Sequence, residues 1–500
     1  MLSVILFLPA VAAAALLLVP GTAPRRVFTW SWIAVGAVDL ALVLVLWSQL
    51  RPGGFGFEER VPWIPSVGIS YHVGVDGLSL PLVALTAVLF LCCAVFALRE
   101  TRRVKAYVTF FLGLQTVCLG LFAALDLILF FLFFDLSIVL MYFLIAGWGH
   151  DGDWARAAAL KFFLYTFLGS LALLLGFIVL YLAADPHTFD ILDLIAAGPP
   201  GGATAALALL AIGIGLGVKT PVVPFHTWLP PAHTEAPATG SAVLAGVLLK
   251  MGTYGFVRIA MPVLPDTWRQ YALVAVVVGV VSVVYGALVA LAQTDLKRMI
   301  AYTSVNHMGY VLLGVGAAGI LAGTDEQARR LATAGAVTQM VSHGLITGAL
   351  FLLTGVLYER GRTYDMSAYS GLAARTPAFA GTFAVAAFAS LGLPGFSGFI
   401  AEFQIFTGAL PASPVATVIA VTGILVTAAL FVVALQRVFL GPLRLPDAPG
   451  SPRPFTDLRA GEVTAVVPLL ALATLIGVLP RVLLDVVEPA ARGLVELVAR

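Results

Sequence analysis

This sequence has little charge for its length. Asp, Glu, Lys and Arg make up 11% of its 500 residues, where a soluble domain carries about a quarter. That excludes a chain that covers its own surface in water, although the length alone would suggest two or three soluble domains. The 28 Lys and Arg nearly cancel the 26 Asp and Glu, for a net charge of +2. No concentrated basic footprint is left for a nucleic acid. Cysteine is scarcer still: Cys92 and Cys93 are neighbours in one apolar run and Cys118 lies in the next. No CxxC spacing for zinc or an iron-sulfur cluster results, and no secreted disulfide framework. The N-terminal run MLSVILFLPAVAAAALLLVP lacks the basic segment of a signal peptide and reads as an uncleaved first membrane helix. What is abundant is apolar: 60% of residues, with a mean hydropathy of +1.02, place the chain in a bilayer.

A hydrocarbon core about 30 Å thick needs about 20 apolar residues per helix. That ruler gives about fourteen spans, near 2–20, 27–50, 76–98, 106–124, 126–147, 157–183, 204–223, 240–262, 271–293, 304–323, 331–357, 377–411, 414–440 and 462–484. Lipid offers no partner to open backbone, so the fold class expected is an all-α polytopic membrane protein. The last sixteen residues, with Arg492, Glu496 and Arg500 among apolar positions, read as a short interfacial helix. Loops after the odd-numbered spans hold sixteen Lys and Arg, including Arg25, Arg99, Arg102, Lys297, Arg362 and Arg453; the other side holds nine. The positive-inside rule then puts both termini outside.

Two spans are interrupted. Span 7 runs GIGLGVKTPVVPFHTWLPP, with Pro221 and Pro224 past Lys219, and span 12 runs ASLGLPGFSGFIAEF, with Pro394 among Gly392, Gly395 and Gly398. Proline removes a backbone donor and glycine loosens the helix, so both should break. The breaks lie 173 positions apart and the starts of spans 4 and 9 lie 165 apart. This predicts two inverted five-helix repeats, spans 4–8 and 9–13, with the active region at the broken helices. The expected segments are 1–105, the first repeat 106–262, the second 271–440, and 441–500.

After the loop cations are set aside, three remain inside spans, and all are lysines: Lys161, Lys219 and Lys250. The chain has five lysines against 23 arginines, so the choice is informative. Arginine keeps its proton in proteins, whereas a buried lysine can exchange one near neutral pH. Lys161 lies about a turn inside span 6, within reach of the interface by snorkelling. Two acids accompany them, Asp135 in LILFFLFFDLSIVLMYFLI and Glu402 after the break in span 12. A lone charge at mid-membrane costs about 2.5–3.5 kcal/mol, so each needs a partner or water. The expectation is a pair between Asp135 and Lys219, in which withdrawal of the carboxylate releases the lysine's proton. Gly335, Gln339, Ser342, His343 and Thr347 share one face of span 11, and Thr303, Asn306, His307 and Tyr310 one face of span 10. Such stripes predict a hydrated interior with His307 and His343 as relay groups. His226 and His233 sit in PFHTWLPPAHTEAP, where shaping the break explains them as well as proton chemistry does. Gly213, Gly215 and Gly217 before Lys219 mimic a phosphate loop, but GVKT lies within a span with no preceding strand, and helix packing explains the glycines better.

At these residues a resemblance becomes specific. GVKTPVVPFHTWLPPAHTEAPATGSAVLAGVLLKMGTYG (217–255), TDLKRMIAYTSVNHMGYVLLG (294–314), QMVSHGLITGALFLLTGVLYER (339–360) and LGLPGFSGFIAEF (391–403) look like the antiporter-like subunits of NADH-quinone oxidoreductase, respiratory complex I. GVDGLSLPLVALT (74–86) and KFFLYTFLGSL (161–171) extend the likeness over most of 70–440. The family also contains subunits of Mrp-type cation/proton antiporters. Most members carry a lysine in the broken twelfth helix; the M branch carries a glutamate, as Glu402 does, and lacks the long lateral helix of the L branch.

The resemblance implies proton translocation driven by quinone reduction elsewhere. Asp135 and Lys219 would be the acid–lysine pair, Lys250 the central relay and Glu402 the outer exit, with Lys161, His307 and His343 supporting. It also implies no cofactor in this chain, with FMN, iron-sulfur clusters and quinone in partner subunits. The neighbours would be L and N chains, together with membrane lipids, in a bacterial plasma membrane. One departure stands out: the family usually has glutamate where this chain has Asp135, a methylene shorter. A Mrp-type antiporter subunit and a purely structural membrane-arm spacer are the competing readings.

Overall fold

The computed structural model describes residues 1–51, 53–150, 152–321, 323–446 and 455–499. Arg453 and Arg500 lie outside the described residues. The chain is mostly helical. In order come α1 (Leu2–Leu18), α2 (Arg25–Gln49), β1 (Gly56–Ile64), β2 (Ile69–Val75), α3 (Leu80–Phe96), α4 (Val104–Ala123), α5 (Leu127–Trp148) and α6 (Gly152–Ala183). Then follow α7 (Ile191–Ala197), α8 (Gly202–Lys219), α9 (Leu229–Glu235), α10 (Ala238–Val263), α11 (Pro265–Leu291), α12 (Leu296–Ile320) and α13 (Glu326–Gly361). The last are α14 (Pro377–Ser390), α15 (Ser397–Ala409), α16 (Pro414–Phe439), α17 (Ala460–Val478) and α18 (Arg481–Ala499). Among the described residues eleven helices are long and apolar enough to cross a membrane, and α1 and α14 are shorter apolar helices. Aspartates start several of them: Asp126, Asp295 and Asp325 accept backbone N–H bonds in the first turns of α5, α12 and α13, satisfying donors that a helix cannot satisfy itself.

Burial separates the helices into a shell and a centre. Only a third of the apolar window of α2 and of α16 is buried, whereas those of α10 and α13 are buried throughout. A polar stripe on α13 therefore faces other helices rather than lipid. Both expected breaks are present. Thr220–Trp228 separates α8 from α9, and Leu391–Phe396 separates α14 from α15, with Gly392 and Gly395 at φ +76° and +100°. The C-terminal helix α18 is amphipathic as expected: Leu483, Val487, Ala491, Leu494 and Val498 are buried on one side, at the spacing of one helical face. It packs so closely that a Cβ on Gly77 would stand 2.0 Å from the Val486 carbonyl oxygen.

A two-stranded antiparallel hairpin, β1–β2, is the one sheet among the described residues. Its anchor is His72, fully buried, with Nδ1 2.5 Å from Asp190 Oδ2 and Nε2 3.0 Å from Glu58 Oε1. Arg60 clamps the same site, 3.3 Å from Asp190 and 2.5 Å from Asp193. Burial works against a charged imidazole here, but Asp190 and Glu58 outweigh it and hold the His72 pKa above its usual value. Burial likewise opposes the Asp190 charge, and His72 nonetheless holds that carboxyl below its usual range. A histidine raised in this way stabilises the fold fully below its unfolded pKa near 6.5, and the contribution disappears as pH rises through the folded value. The depressed Asp190 contributes above about pH 4 and loses its effect as pH falls through its folded value. A charge-assisted bond of this kind contributes about 1.5–3 kcal/mol. Amide exchange in residues 56–75 should therefore accelerate as pH rises above neutrality, beyond the intrinsic chemical rate, and His72→Gln should remove that excess.

Candidate functional site

The centre of the site is a lysine on a widened helix. In α10 the residues Leu244–Leu248 form a π turn, in which the Leu249 N–H reaches back to the Leu244 carbonyl; such bulges are frequent at functional sites. One turn on, the Lys250 ammonium donates to the Ala245 carbonyl at 2.5 Å and meets His343 Nδ1 of α13 at 2.5 Å. The two rings His343 and His307 stand edge to face, with centroids 5.3 Å apart. His307 Nε2 in turn lies 3.2 Å from the Ser390 carbonyl at the end of α14. The polar stripes predicted His307 and His343 as relay groups, and the resemblance implied Lys250 as the central relay; the three side chains lie together in the structure.

Beyond them lies a cavity of about 10 Å³ lined by His307, Gln339, Ser342, His343, Ser390 and Glu402, among others. Five polar atoms around it have no partner among the described residues: His343 Nε2, His307 Nδ1, Gln339 Oε1, Ser390 Oγ and Thr347 Oγ1. A space of that size holds about one water and has more than the two to four polar partners a water needs. Gln339, Ser342, His343 and Thr347 belong to the predicted α13 stripe. Gly335, the remaining member of that stripe, does not line the cavity: its Cβ position is filled by Gln404 and the Ile405 backbone. On the α12 stripe Asn306 is engaged with the Val283 carbonyl and Thr303 with Ile300.

Glu402 is 5% exposed and is shaped from behind by the break. A Cβ on Gly392 would stand 2.3 Å from Glu402 Oε2, at a φ of +76° that disfavours any side chain. Gly392→Ala should push the carboxylate out of the cavity and cost about 1–3 kcal/mol in backbone strain. A proton-transport rate at least fivefold lower, in a variant that still assembles, checks this.

Lys219 departs from expectation. It is 1% exposed and ends α8, but its Nζ donates to Ser137 Oγ at 2.9 Å and lies 4.7 Å from the Phe134 ring centroid. Asp135 feels it only at longer range: its carboxylate sits beside Ser170 of α6, whose hydroxyl donates to the Phe167 carbonyl at 2.9 Å, and Asp135 Oδ1 has no hydrogen-bond partner among the described residues. The reason is helical phase. Phe134 and Ser137 share one face of α5, and Asp135 lies 100° around from Phe134. With the side chain a methylene shorter than glutamate, the ion pair expected between Asp135 and Lys219 does not form. Lys161 is exposed on α6, and its charge reaches His226. It does not join the Lys250 cluster.

Other charges escaped the sequence reading. Lys297, counted there among loop cations, is fully buried, with Nζ 2.5 Å from the Ala236 carbonyl and 3.5 Å from His150 Nε2. Arg258, also counted in a loop, is buried in α10 and paired with Asp76 at 2.5 Å. Asp39 lies buried in α2, where Gln115 Nε2 of α4 donates to it at 2.6 Å. Within LALVLV-rich surroundings a single acid hardly lowers a hydropathy average; reading α2 for lone acids would have found it. His233, fully buried and stacked on Phe351 at 4.4 Å, has no partner for either ring nitrogen among the described residues.

The arrangement has known relatives. Residues 124–427 match the family model for NADH:quinone oxidoreductase/Mrp antiporter transmembrane proteins. NADH-quinone oxidoreductase subunit M of Rickettsia prowazekii is 40% identical over 88% of this chain and 86% of its own. The subunit of that name from Rhodobacter capsulatus is 39% identical over 99% and 96%. Among solved structures, a chain of respiratory complex I from Thermus thermophilus with bound NADH superposes over 100% of both chains at a TM-score of 0.88 and 30% identity. A chain of the Mrp complex from Dietzia sp. shares the fold, at 0.86 and 23% identity over 100% of this chain and 99% of that one. The chain belongs to the NADH:quinone oxidoreductase/Mrp antiporter transmembrane family.

Proposed function

We propose that this chain is a proton-translocating, antiporter-like membrane-arm subunit of a NADH-quinone oxidoreductase. The observation that carries the reading is the run Lys250–His343–His307 into a cavity shared with Glu402. It joins a group that binds and releases a proton to a carboxylate through imidazoles and room for water. Lys219 and Asp135 form the other end, coupled through their charges rather than by direct contact, with Lys219 held by Ser137. Lys161 supports it from the flank. The chain's own part is to hold and pass protons. Reduction of quinone, with FMN and iron-sulfur clusters, belongs to partner subunits, and L-type and N-type chains are its neighbours in a bacterial plasma membrane, with both termini outside.

Fourteen crossings and two inverted repeats, within segments 1–105, 106–262, 271–440 and 441–500, fit this reading. Paired bridges support the repeat. Asp126 before α5 bridges Asp190 after α6, and Asp295 before α12 bridges Asp365 after α13. The first members lie 169 positions apart and the second 175, close to the offset between the helix breaks.

The test is transport by the intact complex in proteoliposomes. The chain should co-purify with NADH dehydrogenase activity, and Glu402→Gln should lower NADH-driven acidification at least tenfold with the complex assembled. Unchanged acidification would sink the proton-relay reading. Sodium-dependent transport insensitive to quinone-site inhibitors would instead favour the Mrp-type antiporter.

A further inference from the structure

A polar recess lies apart from the Lys250 cluster, at the ends of α3, α5 and α13 and the starts of α4, α10 and α17. It is a cavity of about 470 Å³ whose lining includes Arg99, Arg102, Arg360, Arg362, Arg459 and His150. Its volume falls in the range of ligand clefts, about 300–1,000 Å³. Two carboxylates line it, Glu100 and Glu359, and neither cancels the cations. Glu100 is spent on the backbone N–H groups of Thr101 and Arg102, at 2.8 and 2.7 Å. Glu359 stands 3.8 Å from Arg99. Arg99 and Arg360 share a third carboxylate, Glu462, at 2.7 and 2.8 Å.

Arg102 and Arg362 are left over. Arg102 reaches only the Gly147 carbonyl, at 3.3 Å, and Arg362 lies 6.0 Å from the Tyr358 ring centroid. Neither forms an ion pair among the described residues, and both are exposed to the recess. At its base Tyr364 Oη and Lys297 Nζ both meet His150 Nε2, at 2.8 and 3.5 Å. Lys297 is satisfied there by carbonyls, with Asp295 and Glu235 only at longer range.

Unpaired guanidiniums around a recess, above a buried ammonium, create a positive potential that repels cations and concentrates anions. Two planar guanidinium forks match the oxygens of a phosphoryl group. Basic pockets between membrane helices bind phosphorylated headgroups by the same chemistry. We propose that this recess is an oxyanion site that takes a phosphoryl group, with Arg102 and Arg362 as its ligands. The phosphoryl group comes either from free phosphate or from an anionic lipid headgroup. The site stands on its own observations and does not require the proton relay.

The experiment uses the intact complex, washed free of phosphate and held in phosphatidylcholine nanodiscs. Radiolabelled inorganic phosphate is titrated by equilibrium dialysis, and retained phosphatidylglycerol is counted by mass spectrometry after exchange into discs containing it. Wild type is compared with Arg102→Gln/Arg362→Gln and Arg102→Lys/Arg362→Lys. The expected result is one saturable site more in wild type than in the glutamine variant, with at least tenfold weaker binding in the latter and most binding kept with lysine. Phosphate binding identifies the free ion, and phosphatidylglycerol retention alone identifies the headgroup. If the double glutamine variant fails to assemble, Arg362→Gln alone should weaken binding at least threefold. Binding equal in wild type and variant, or no saturable binding of either probe, overturns the assignment.

Discussion

Lys250→Met in the assembled complex should abolish proton transport, lowering NADH-driven acidification of proteoliposomes by about 10²-fold or more, the range of a lost acid–base group. Methionine fills nearly the same volume, so packing in fully buried α10 survives. What goes is the ammonium between the Ala245 carbonyl and His343 Nδ1, both at 2.5 Å. Leaving those acceptors unpaired costs about 1–3 kcal/mol of stability, which a native gel of the complex will register as at most a modest loss. Lys250→Arg separates two roles. Arginine keeps the positive charge but holds its proton. If Lys250 acts by passing a proton, arginine fails as methionine does; near-normal acidification with arginine means that the position supplies only charge. The neighbour sharpens the test. His343→Gln keeps a polar side chain at the Lys250 contact but cannot be protonated, and should give a rate between wild type and Lys250→Met.

Much of this site was readable without coordinates because membrane energetics filter the sequence. A lysine, two histidines and a glutamate persist in apolar runs only where something satisfies them, and the spacing of Gln339, Ser342, His343 and Thr347 already put them on one face. The helix breaks were equally legible, since Pro221, Pro224 and Pro394 interrupt their spans locally. What failed was whatever depends on how one helix is rotated against another. Asp135 and Lys219 have complementary charges, but α5 turns Phe134 and Ser137 toward Lys219 and Asp135 toward Ser170. No count of residues reveals that rotation. The β1–β2 hairpin escaped for a different reason. GFEERVPWIPSVGISYHVGV is too short and polar for a membrane ruler, and charged His72, Asp190 and Arg60 hold it in place rather than an apolar face. Lys297 was sorted as a loop charge because position relative to a span says nothing about what folds over it, and Arg258, about a turn from the end of the 240–262 span, was counted with the loop beyond it.

Arg258 is where that omission has the largest consequence for stability. Its Nη2 lies 2.5 Å from Asp76 Oδ1, and the two side chains are 8% and 10% exposed. Nε donates to Tyr254 Oη at 2.8 Å, Tyr254 donates to the Phe122 carbonyl at 3.0 Å, and the guanidinium lies 4.8 Å from the Phe55 ring centroid. Asp76 also accepts the backbone N–H groups of Leu78 and Ser79, at 3.0 Å each, where α3 begins. One ion pair thus ties α10 to the start of α3, beside the hairpin and under α18, where Gly77 leaves room for Val486. Removing one member of such a pair strands the other charge, which costs about 3–5 kcal/mol, whereas removing both costs much less. Arg258→Met and Asp76→Asn should each lower the unfolding free energy by that amount or prevent assembly. The double variant Arg258→Met/Asp76→Asn should recover at least half of the sum, because the stranded charge is gone. A thermal-shift cycle on the intact complex measures the coupling. Strict additivity of the two losses would mean that the pair contributes no more than its separate contacts, and that α3 and α10 are held together by apolar packing alone.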